Sequence, residues 1–178
     1  TVRQLVKNVL KQKMVANIEE KHTLIIKGGP GTGKSVIAIQ LMCDLIKSGY
    51  SALYVTKNSA PRNVYFAKLR KDNYQKNYIN SLFKGSGSFV DAKANSVDCI
   101  LADEAHRLQM KSGIMHNKGE AQVKEIIHAA RVSVFFIDED QRVTAQDACT
   151  ANMIRYYAGI EGSKIWEGAE YDLVSQFR

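Results

Sequence analysis

Residues 28–35 are Gly-Gly-Pro-Gly-Thr-Gly-Lys-Ser. This stretch matches the pattern GxxxxGK[ST], in which glycines let successive backbone N–H groups turn towards one phosphate group. An apolar run at 23–27 precedes the stretch and a helical pattern at 33–48 follows it, which is the context that the pattern requires. The stretch therefore predicts a phosphate-binding loop between a strand and a helix.

The residues of this loop have separate expected roles. Those expected to surround the phosphates of ATP are Gly29, Pro30, Gly31, Thr32, Gly33, Lys34 and Ser35. Lys34 should reach the β- and γ-phosphates, and the Ser35 hydroxyl should bind Mg²⁺. The helix that begins near Gly33 adds the positive end of its dipole. The alternative is a glycine-rich turn without a ligand.

Short apolar runs alternate with helical patterns along the rest of the chain. The predicted strands are 23–27, 52–56, 97–102 and 132–137, and the predicted helices are 2–18, 33–48, 60–71, 120–130 and 144–158. Thr144 with Asp147 predicts the start of the last helix, and 84–96 and 107–119 are predicted loops. The strand runs are continuously apolar, which is typical of strands buried on both faces. This order predicts a single α/β domain, 1–178, with a mostly parallel sheet covered on both faces and a helical lead-in at 1–22.

Two acidic residues, Asp103 and Glu104, come directly after the strand at 97–102. A carboxylate at the end of a buried strand costs desolvation unless it meets a cation, so we expect Asp103 to bind the same Mg²⁺ as Ser35. Glu104 is then placed to act as the general base on the attacking water. The alternative is that the two carboxylates cap the helix that follows.

Two further residues are candidates for contact with the γ-phosphate. Gln141 follows the strand at 132–137 and can hydrogen-bond to the γ-phosphate or its water, with a turn glutamine as the alternative. Arg178 ends the sequence, and its guanidinium suits a phosphoryl transition state. Together with Lys34, Asp103 and Glu104, they complete the predicted catalytic set.

Basic residues are concentrated in the first part of the chain. Residues 1–96 have 16 basic and 5 acidic side chains, whereas residues 97–178 have 9 basic and 13 acidic ones. The net charge of the whole chain is +7. A basic region favours a polyanion partner. The predicted nucleic-acid contacts are Thr56, Lys57, Asn58 and Arg62, at the end of the second strand. The alternative is a lysine-rich face that only contacts solvent.

The composition excludes several classes of protein. A chain of 178 residues with 45% hydrophobic and 24% charged residues is typical of one globular domain rather than a disordered or collagen-like chain. No apolar run approaches the roughly 18 residues of a membrane-spanning helix, and the N-terminus has no signal-peptide pattern. The three cysteines have no paired spacing, which favours buried thiols in the cytoplasm.

Five motifs carry a resemblance to a known family. They are GGPGTGKS at 28–35, TKNSAP at 56–61, LADEAHRL at 101–108, FFIDEDQ at 135–141 and SQFR at 175–178. In this order they resemble the first motor domain of superfamily 1 helicases. More narrowly, the chain looks like the family called domain of unknown function 2075, the Schlafen-like DNA/RNA helicases.

The resemblance implies a P-loop NTPase with a RecA-like three-layer sandwich and an ATPase activity that acts on single-stranded DNA or RNA. Residues 56–59 would be motif Ia on the nucleic-acid side, and Asp103 and Glu104 would be Walker B. Gln141 would be the motif III sensor and Arg178 the motif IV arginine. Nothing in the chain corresponds to motifs V and VI, so we expect a carboxyl-terminal second RecA-like domain in the full-length protein.

Other functions stay open at this point. A nucleotide-gated binding module without motor activity would use the same phosphate loop. A small-molecule kinase would need a lid with several arginines, and the sequence has no arginine-rich segment. An AAA-type ATPase would have Asn or Thr where this chain has 138–141, Asp-Glu-Asp-Gln.

Overall fold

The computed structural model describes residues 2–16, 20–56, 76–111, 118–138, 140–141 and 149–173. Within these ranges six strands form one sheet in the order β3-β2-β4-β5-β1-β6. They are β1 (Lys21–Lys27), β2 (Ala52–Val55), β3 (Phe83–Lys84), β4 (Val97–Ala102), β5 (Ala130–Ile137) and β6 (Ser163–Trp166). Every pairing between these strands is parallel.

Five α-helices lie in the described ranges. They are α1 (Val2–Ala16), α2 (Lys34–Lys47), α3 (Lys76–Ser81), α4 (Gln122–Ala129) and α5 (Ala151–Ile160). None of these helices is long and apolar enough to cross a membrane.

Alternate residues of the central strands enter two separate cores. In β1, Leu24 and Ile26 pack into the core that includes α1 and α2, whereas Ile25 packs into the core that includes α4 and α5. All three side chains are fully buried, as the continuously apolar run of this strand predicts. The helices therefore cover both faces of a parallel sheet, and the predicted three-layer α/β sandwich with a mostly parallel central sheet is confirmed.

The strands with apolar runs lie where the sequence predicts them, within two residues at each end. β4 has the predicted bounds, and β1 begins at Lys21, two residues inside the segment assigned to the lead-in. Two strands were not predicted. β3 has only two residues, and β6 is Ser-Lys-Ile-Trp, so neither has an apolar run of its own. Both lie at the edges of the sheet, where one neighbouring strand supplies the hydrogen bonds.

The last predicted helix, 144–158, is wrong at residues 149 and 150. Residues 149 and 150 are not helical, and α5 begins only at Ala151 and continues to Ile160. Thr150 is extended, with φ −118° and ψ 164°, and its side chain accepts a hydrogen bond from the Met153 amide. This side chain is therefore the N-cap of α5. Thr144 and Asp147, and the predicted helix 60–71, lie outside the described residues.

The order of the strands places three carboxyl ends side by side. β5 lies between β1 and β4, and its last residue, Ile137, is opposite Lys27 of β1. The sheet continues for one further hydrogen bond, because the Gly28 amide donates to the Ile137 carbonyl at 3.2 Å. The segments that follow β1, β5 and β4 consequently meet at one edge of the sheet.

A segment after β6 returns to this same edge. The Leu173 amide donates to the Lys27 carbonyl at 2.7 Å, and the Lys27 amide donates to Oδ1 of Asp172 at 3.1 Å. Gly28 and Leu173 form a parallel bridge. A Cβ atom on Gly28 would lie 2.7 Å from Oγ1 of Thr32 and 3.2 Å from the Leu173 carbonyl oxygen. Residue 28 is therefore a position that requires glycine.

Candidate functional site

The loop after β1 has the conformation that its glycines allow. Gly31 and Gly33 have φ of 74° and 84°, a region that other residues rarely adopt. Oγ1 of Thr32 donates to the Gly29 carbonyl at 2.9 Å and closes the turn. Gly33 is the N-cap of α2, and glycine has no side chain to cap the first N–H groups of the helix. These N–H groups are the donors that bind an anion at a helix N-terminus.

The Lys34 ammonium group is held at the base of this loop. Its Nζ donates to the carbonyl oxygens of Gly28 at 2.5 Å and Gly29 at 2.7 Å, and to Oδ2 of Asp138 at 3.3 Å. Three acceptors match the three N–H bonds of a lysine. Only 11% of the Lys34 side chain and 2% of the Asp138 side chain are exposed, so this is a buried ion pair.

The Ser35 hydroxyl and the Asp103 carboxylate meet although they are 68 residues apart. Oγ of Ser35 donates to Oδ2 of Asp103 at 2.5 Å. The same Oδ2 accepts a hydrogen bond from the hydroxyl of Tyr54, and Oδ1 accepts one from the Glu104 amide at 3.0 Å. Asp103 is 4% exposed. The structure thus brings together the two residues that the sequence predicts as Mg²⁺ ligands.

The chemistry of these groups fits a magnesium ion. A serine hydroxyl and a carboxylate are hard oxygen donors, and Mg²⁺ is usually bound by one or two such groups, with water and phosphate oxygens completing six positions. No cluster of three or more His, Cys, Asp or Glu side chains that could hold a metal ion occurs in the described part of the chain. Ser35 and Asp103 would supply two of the six ligands, and water and phosphate oxygens would supply the others.

Glu104 lies beside Asp103 in a left-handed backbone conformation, with φ 50°. It precedes a short 3₁₀ helix, Ala105–Arg107, and its side chain forms no capping hydrogen bond with that helix. Instead, Oε2 of Glu104 lies 3.4 Å from Nη1 of Arg107. The capping role that was the alternative for Glu104 is absent, and its carboxylate is held in an ion pair at the mouth of the site.

One pocket of about 330 Å³ joins these groups. It is lined by Pro30, Gly31, Thr32, Gly33, Lys34, Ser35, Val36, Asp103, Glu104, His106 and Gln141. Gln141 is exposed, and its backbone amide donates a hydrogen bond to the backbone carbonyl of Asp138 at 3.4 Å. Gly29 contributes its carbonyl oxygen below the loop, as the bonds from Lys34 and Thr32 show. Apart from Gly29, the predicted phosphate-binding and carboxylate residues therefore line one pocket.

The predicted nucleic-acid residues are described only in part. Thr56 follows β2, is 5% exposed, and donates its amide to the Lys84 carbonyl at 3.4 Å. Lys57, Asn58 and Arg62 lie outside the described residues, and so does Arg178. Contacts of these residues with nucleic acid or with a γ-phosphate stay predictions.

Two residues of the site were not assigned a role from the sequence. Asp138 follows a buried strand, as Asp103 does, and that position was a signal for a second carboxylate at the same edge. Tyr54 lies inside an apolar run, and a buried tyrosine hydroxyl usually has a hydrogen-bond partner. The identity of that partner depends on which strand lies beside β2, and the sequence does not show the order of strands.

Comparison with known proteins indicates a family. Residues 21–178 match the family described as Schlafen group 3, DNA/RNA helicase domain. This match agrees with the Schlafen-like part of the resemblance that the motifs carry. No curated protein matches the chain.

Several solved structures are distantly similar. They include the flagellar accessory protein FlaH from Methanocaldococcus jannaschii, at 15% identity and a TM-score of 0.44, over 78% of this chain and 69% of that one. Replication initiator DnaA bound to AMPPCP and single-stranded DNA has 18% identity and a TM-score of 0.42, over 95% and 45%. AMPPCP-bound DnaA from Aquifex aeolicus has 15% identity and a TM-score of 0.39, over 96% of this chain and 44% of that one. The chain thus spans less than half the length of either DnaA chain.

Proposed function

The chain belongs to the family of Schlafen group 3 DNA/RNA helicase domains, and from this premise we propose that it binds ATP with Mg²⁺ and hydrolyses it. In this proposal the chain is the first motor domain of a superfamily 1-type helicase or translocase, of the kind called domain of unknown function 2075. Its partners are single-stranded DNA or RNA and a second RecA-like domain carried by the full-length protein. Its location is the cytoplasm.

The observation that carries the proposal is the contact between Ser35 and Asp103. The 2.5 Å hydrogen bond joins a hydroxyl at the start of α2 to a carboxylate at the end of β4, at the wall of the pocket that contains Lys34. A glycine-rich turn without a ligand would not need a buried carboxylate opposite its last residue. A hydroxyl and a carboxylate in contact are hard oxygen donors of the kind that would hold Mg²⁺.

Each group then has a distinct task in the reaction. The loop amides and Lys34 bind and orient the phosphates, and the ammonium offsets negative charge. Ser35 and Asp103 would hold Mg²⁺, which would supply charge stabilisation for the transferred phosphoryl group. Glu104 accepts a proton from the attacking water. Gln141, exposed at the pocket, orients that water or the γ-phosphate, and Arg178 adds charge to the transition state.

Binding and turnover are tested by separate variants. We expect Lys34→Ala to weaken ATP binding by about 30-fold or more, because it removes a buried positive charge at the base of the proposed phosphate site. Lys47→Ala, at the exposed last turn of the same helix, is the matched control and should bind ATP as the wild type does. Isothermal titration calorimetry measures both. Equal affinity of the wild type and the Lys34→Ala variant would refute the assignment of the pocket.

Glu104→Gln should retain ATP binding and lose turnover by about 10²–10⁴-fold, the usual contribution of a general base. The measurement is phosphate release by the full-length protein with single-stranded DNA or RNA. Turnover at the wild-type rate would show that another group activates the water.

A second function, a nucleotide-gated binding module without motor activity, is favoured by one observation. The Glu104 carboxylate is paired with Arg107 at 3.4 Å, so Arg107 competes with the attacking water for one of its two oxygens. The two functions differ in one assay. A motor hydrolyses ATP faster when single-stranded DNA or RNA is added, whereas a binding module binds ATP and shows no stimulated turnover.

A further inference from the structure

A tyrosine hydroxyl reaches the proposed metal site from inside the protein. Tyr54 lies on β2 opposite Leu101 of β4, and Asp103 is two residues further along the chain from Leu101. The Tyr54 hydroxyl donates a hydrogen bond to Oδ2 of Asp103, the oxygen that also accepts from Ser35. Tyr54 is fully buried. The contact therefore reaches Asp103 from a core residue that does not line the pocket.

Among the described residues, the buried Asp103 carboxylate accepts hydrogen bonds from neutral donors only. Within the described ranges its hydrogen-bond donors are two hydroxyls and the Glu104 amide, all of them neutral. A carboxylate that is 4% exposed carries a large desolvation cost when its partners bear no charge. Such a carboxylate favours a cation, provided that its oxygens are held in the direction of the pocket.

The two hydroxyls differ in how firmly they are held. The Tyr54 ring packs against Phe83, with ring centroids 5.5 Å apart and planes inclined at 59°, and lies within the core that includes α1 and α2. Interiors are close-packed, so this ring cannot turn its hydroxyl away. The Ser35 hydroxyl, in contrast, rotates about one bond and lies at the pocket wall. Of the two side-chain donors, only Tyr54 is fixed by its surroundings.

We propose that Tyr54 is a positioning residue, which fixes the orientation of the Asp103 carboxylate so that it binds Mg²⁺ together with Ser35. This inference depends on the proposed function, because it assumes that the pocket binds a nucleotide with Mg²⁺. Partners that orient the ligands of a metal typically change its affinity by 10–100-fold when they are removed. The tyrosine hydroxyl acts on the metal through Asp103 and does not contact the nucleotide.

Tyr54→Phe is the sharpest test, because it keeps the ring and removes only the hydroxyl. ATP binding by the intact chain is measured by calorimetry in EDTA and then over a series of Mg²⁺ concentrations. We expect the Mg²⁺ concentration for half-maximal enhancement of ATP affinity to rise by about 10–100-fold. Affinity for ATP in EDTA should stay at the wild-type value. Tyr157→Phe, which alters a partly buried tyrosine packed against the opposite core, is the control and should change neither quantity.

A second pair of variants tests whether Tyr54 acts through Asp103. In an Asp103→Asn background the Mg²⁺ requirement should be the same with and without Tyr54→Phe, because the carboxylate that the hydroxyl orients is gone. The comparison of Asp103→Asn with the double variant stays informative even if Tyr54→Phe alone fails to fold. Asp103→Asn removes the buried charge that Tyr54→Phe leaves without its donor. A further rise in the Mg²⁺ requirement in this background would overturn the proposal.

The remaining outcomes separate this inference from the proposed function. A wild-type Mg²⁺ requirement in Tyr54→Phe overturns the inference alone, provided that the wild type needs Mg²⁺ and Lys34→Ala loses ATP binding. Equal loss of affinity with and without Mg²⁺ indicates a general structural role and also overturns it. ATP binding by the wild type that is indifferent to Mg²⁺ overturns both proposals.

Discussion

The buried ion pair between Lys34 and Asp138 should contribute measurably to the stability of the empty protein. Replacing Asp138 by Asn removes the negative charge and keeps the shape of the side chain. The Lys34 ammonium, on a side chain that is 11% exposed, then has two carbonyl oxygens and one amide oxygen as acceptors. Both partners are far more buried than those of a surface pair, so their interaction is poorly screened by water.

The expected magnitude follows from this burial. Removing one member of a buried pair typically costs about 3–5 kcal/mol. The amide oxygen of Asn and the carbonyl oxygens of Gly28 and Gly29 still accept hydrogen bonds from Lys34, which lowers the cost to about 2 kcal/mol. For a domain of this size, that loss lowers the Tm by roughly 4–8 °C.

A double-mutant cycle isolates the pair from the rest of the fold. Urea-induced unfolding is measured for the wild type, Asp138→Asn, Lys34→Met and the double variant, and we expect a coupling energy of about 2 kcal/mol. The same cycle on Arg3 and Asp44 is the control, because the Arg3 side chain is 48% exposed and such pairs contribute about 0–1 kcal/mol. A Lys34–Asp138 coupling no larger than that of the control pair would refute the reasoning.

Three further predictions concern the region around the loop and the core. Gly28→Ala should weaken both ATP binding and stability, by about 1–3 kcal/mol in urea unfolding, because its Cβ would lie 2.7 Å from Oγ1 of Thr32; a wild-type affinity for ATP would contradict this. Thr23→Val should destabilise the chain by about 1–3 kcal/mol, because it removes a buried hydroxyl that lies 3.0 Å from the Ser133 hydroxyl of β5 and 2.7 Å from the Ser163 hydroxyl of β6. Calorimetric melting measures the loss, and an unchanged Tm would count against it. Burial raises the pKa of the Cys149 thiol to about 12, so the thiol stays protonated at a pH of about 8 and should react with a thiol reagent only after unfolding. The partly exposed Cys43 should react in the folded chain. Rapid labelling of Cys149 in the folded chain would contradict its buried position.

The site was predictable to the extent that it depends on local patterns. The loop at 28–35 and the acidic residues after a buried strand have defined spacings, and parallel strands bring their carboxyl ends to one edge. These two facts are sufficient to expect Ser35 and Asp103 near each other, and the structure places them in hydrogen-bond contact.

The remaining contacts depend on the order and register of the strands. Asp138 reaches Lys34 because β5 lies between β1 and β4, and Tyr54 reaches Asp103 because β2 pairs with β4. No local pattern encodes either neighbour. For the same reason β6 was missed: its four residues form a strand by pairing with β1 rather than by their own propensity.

The start of α5 shows a different limit. Both Thr144 and Thr150 are residues that favour an N-cap, and the sequence signal at Thr144 is strengthened by an acidic residue three positions later. In the structure it is Thr150 that accepts from the third residue of the helix. This helix packs against the core through Ala151, Ile154 and Ala158, a contact that the local capping signal does not encode, and Thr144 lies outside the described residues.

The return of the chain to the end of β1 has a mechanical consequence. The Leu173 amide donates a hydrogen bond of 2.7 Å to the Lys27 carbonyl, and the Asp172 carboxylate accepts one from the Lys27 amide. Lys27 is the last residue of the strand, immediately before the loop that begins at Gly28. A tension applied to the polypeptide beyond Leu173 is therefore delivered first to the base of the phosphate loop. Conversely, a displacement of the phosphate loop exerts a force on Leu173 through the same hydrogen bond.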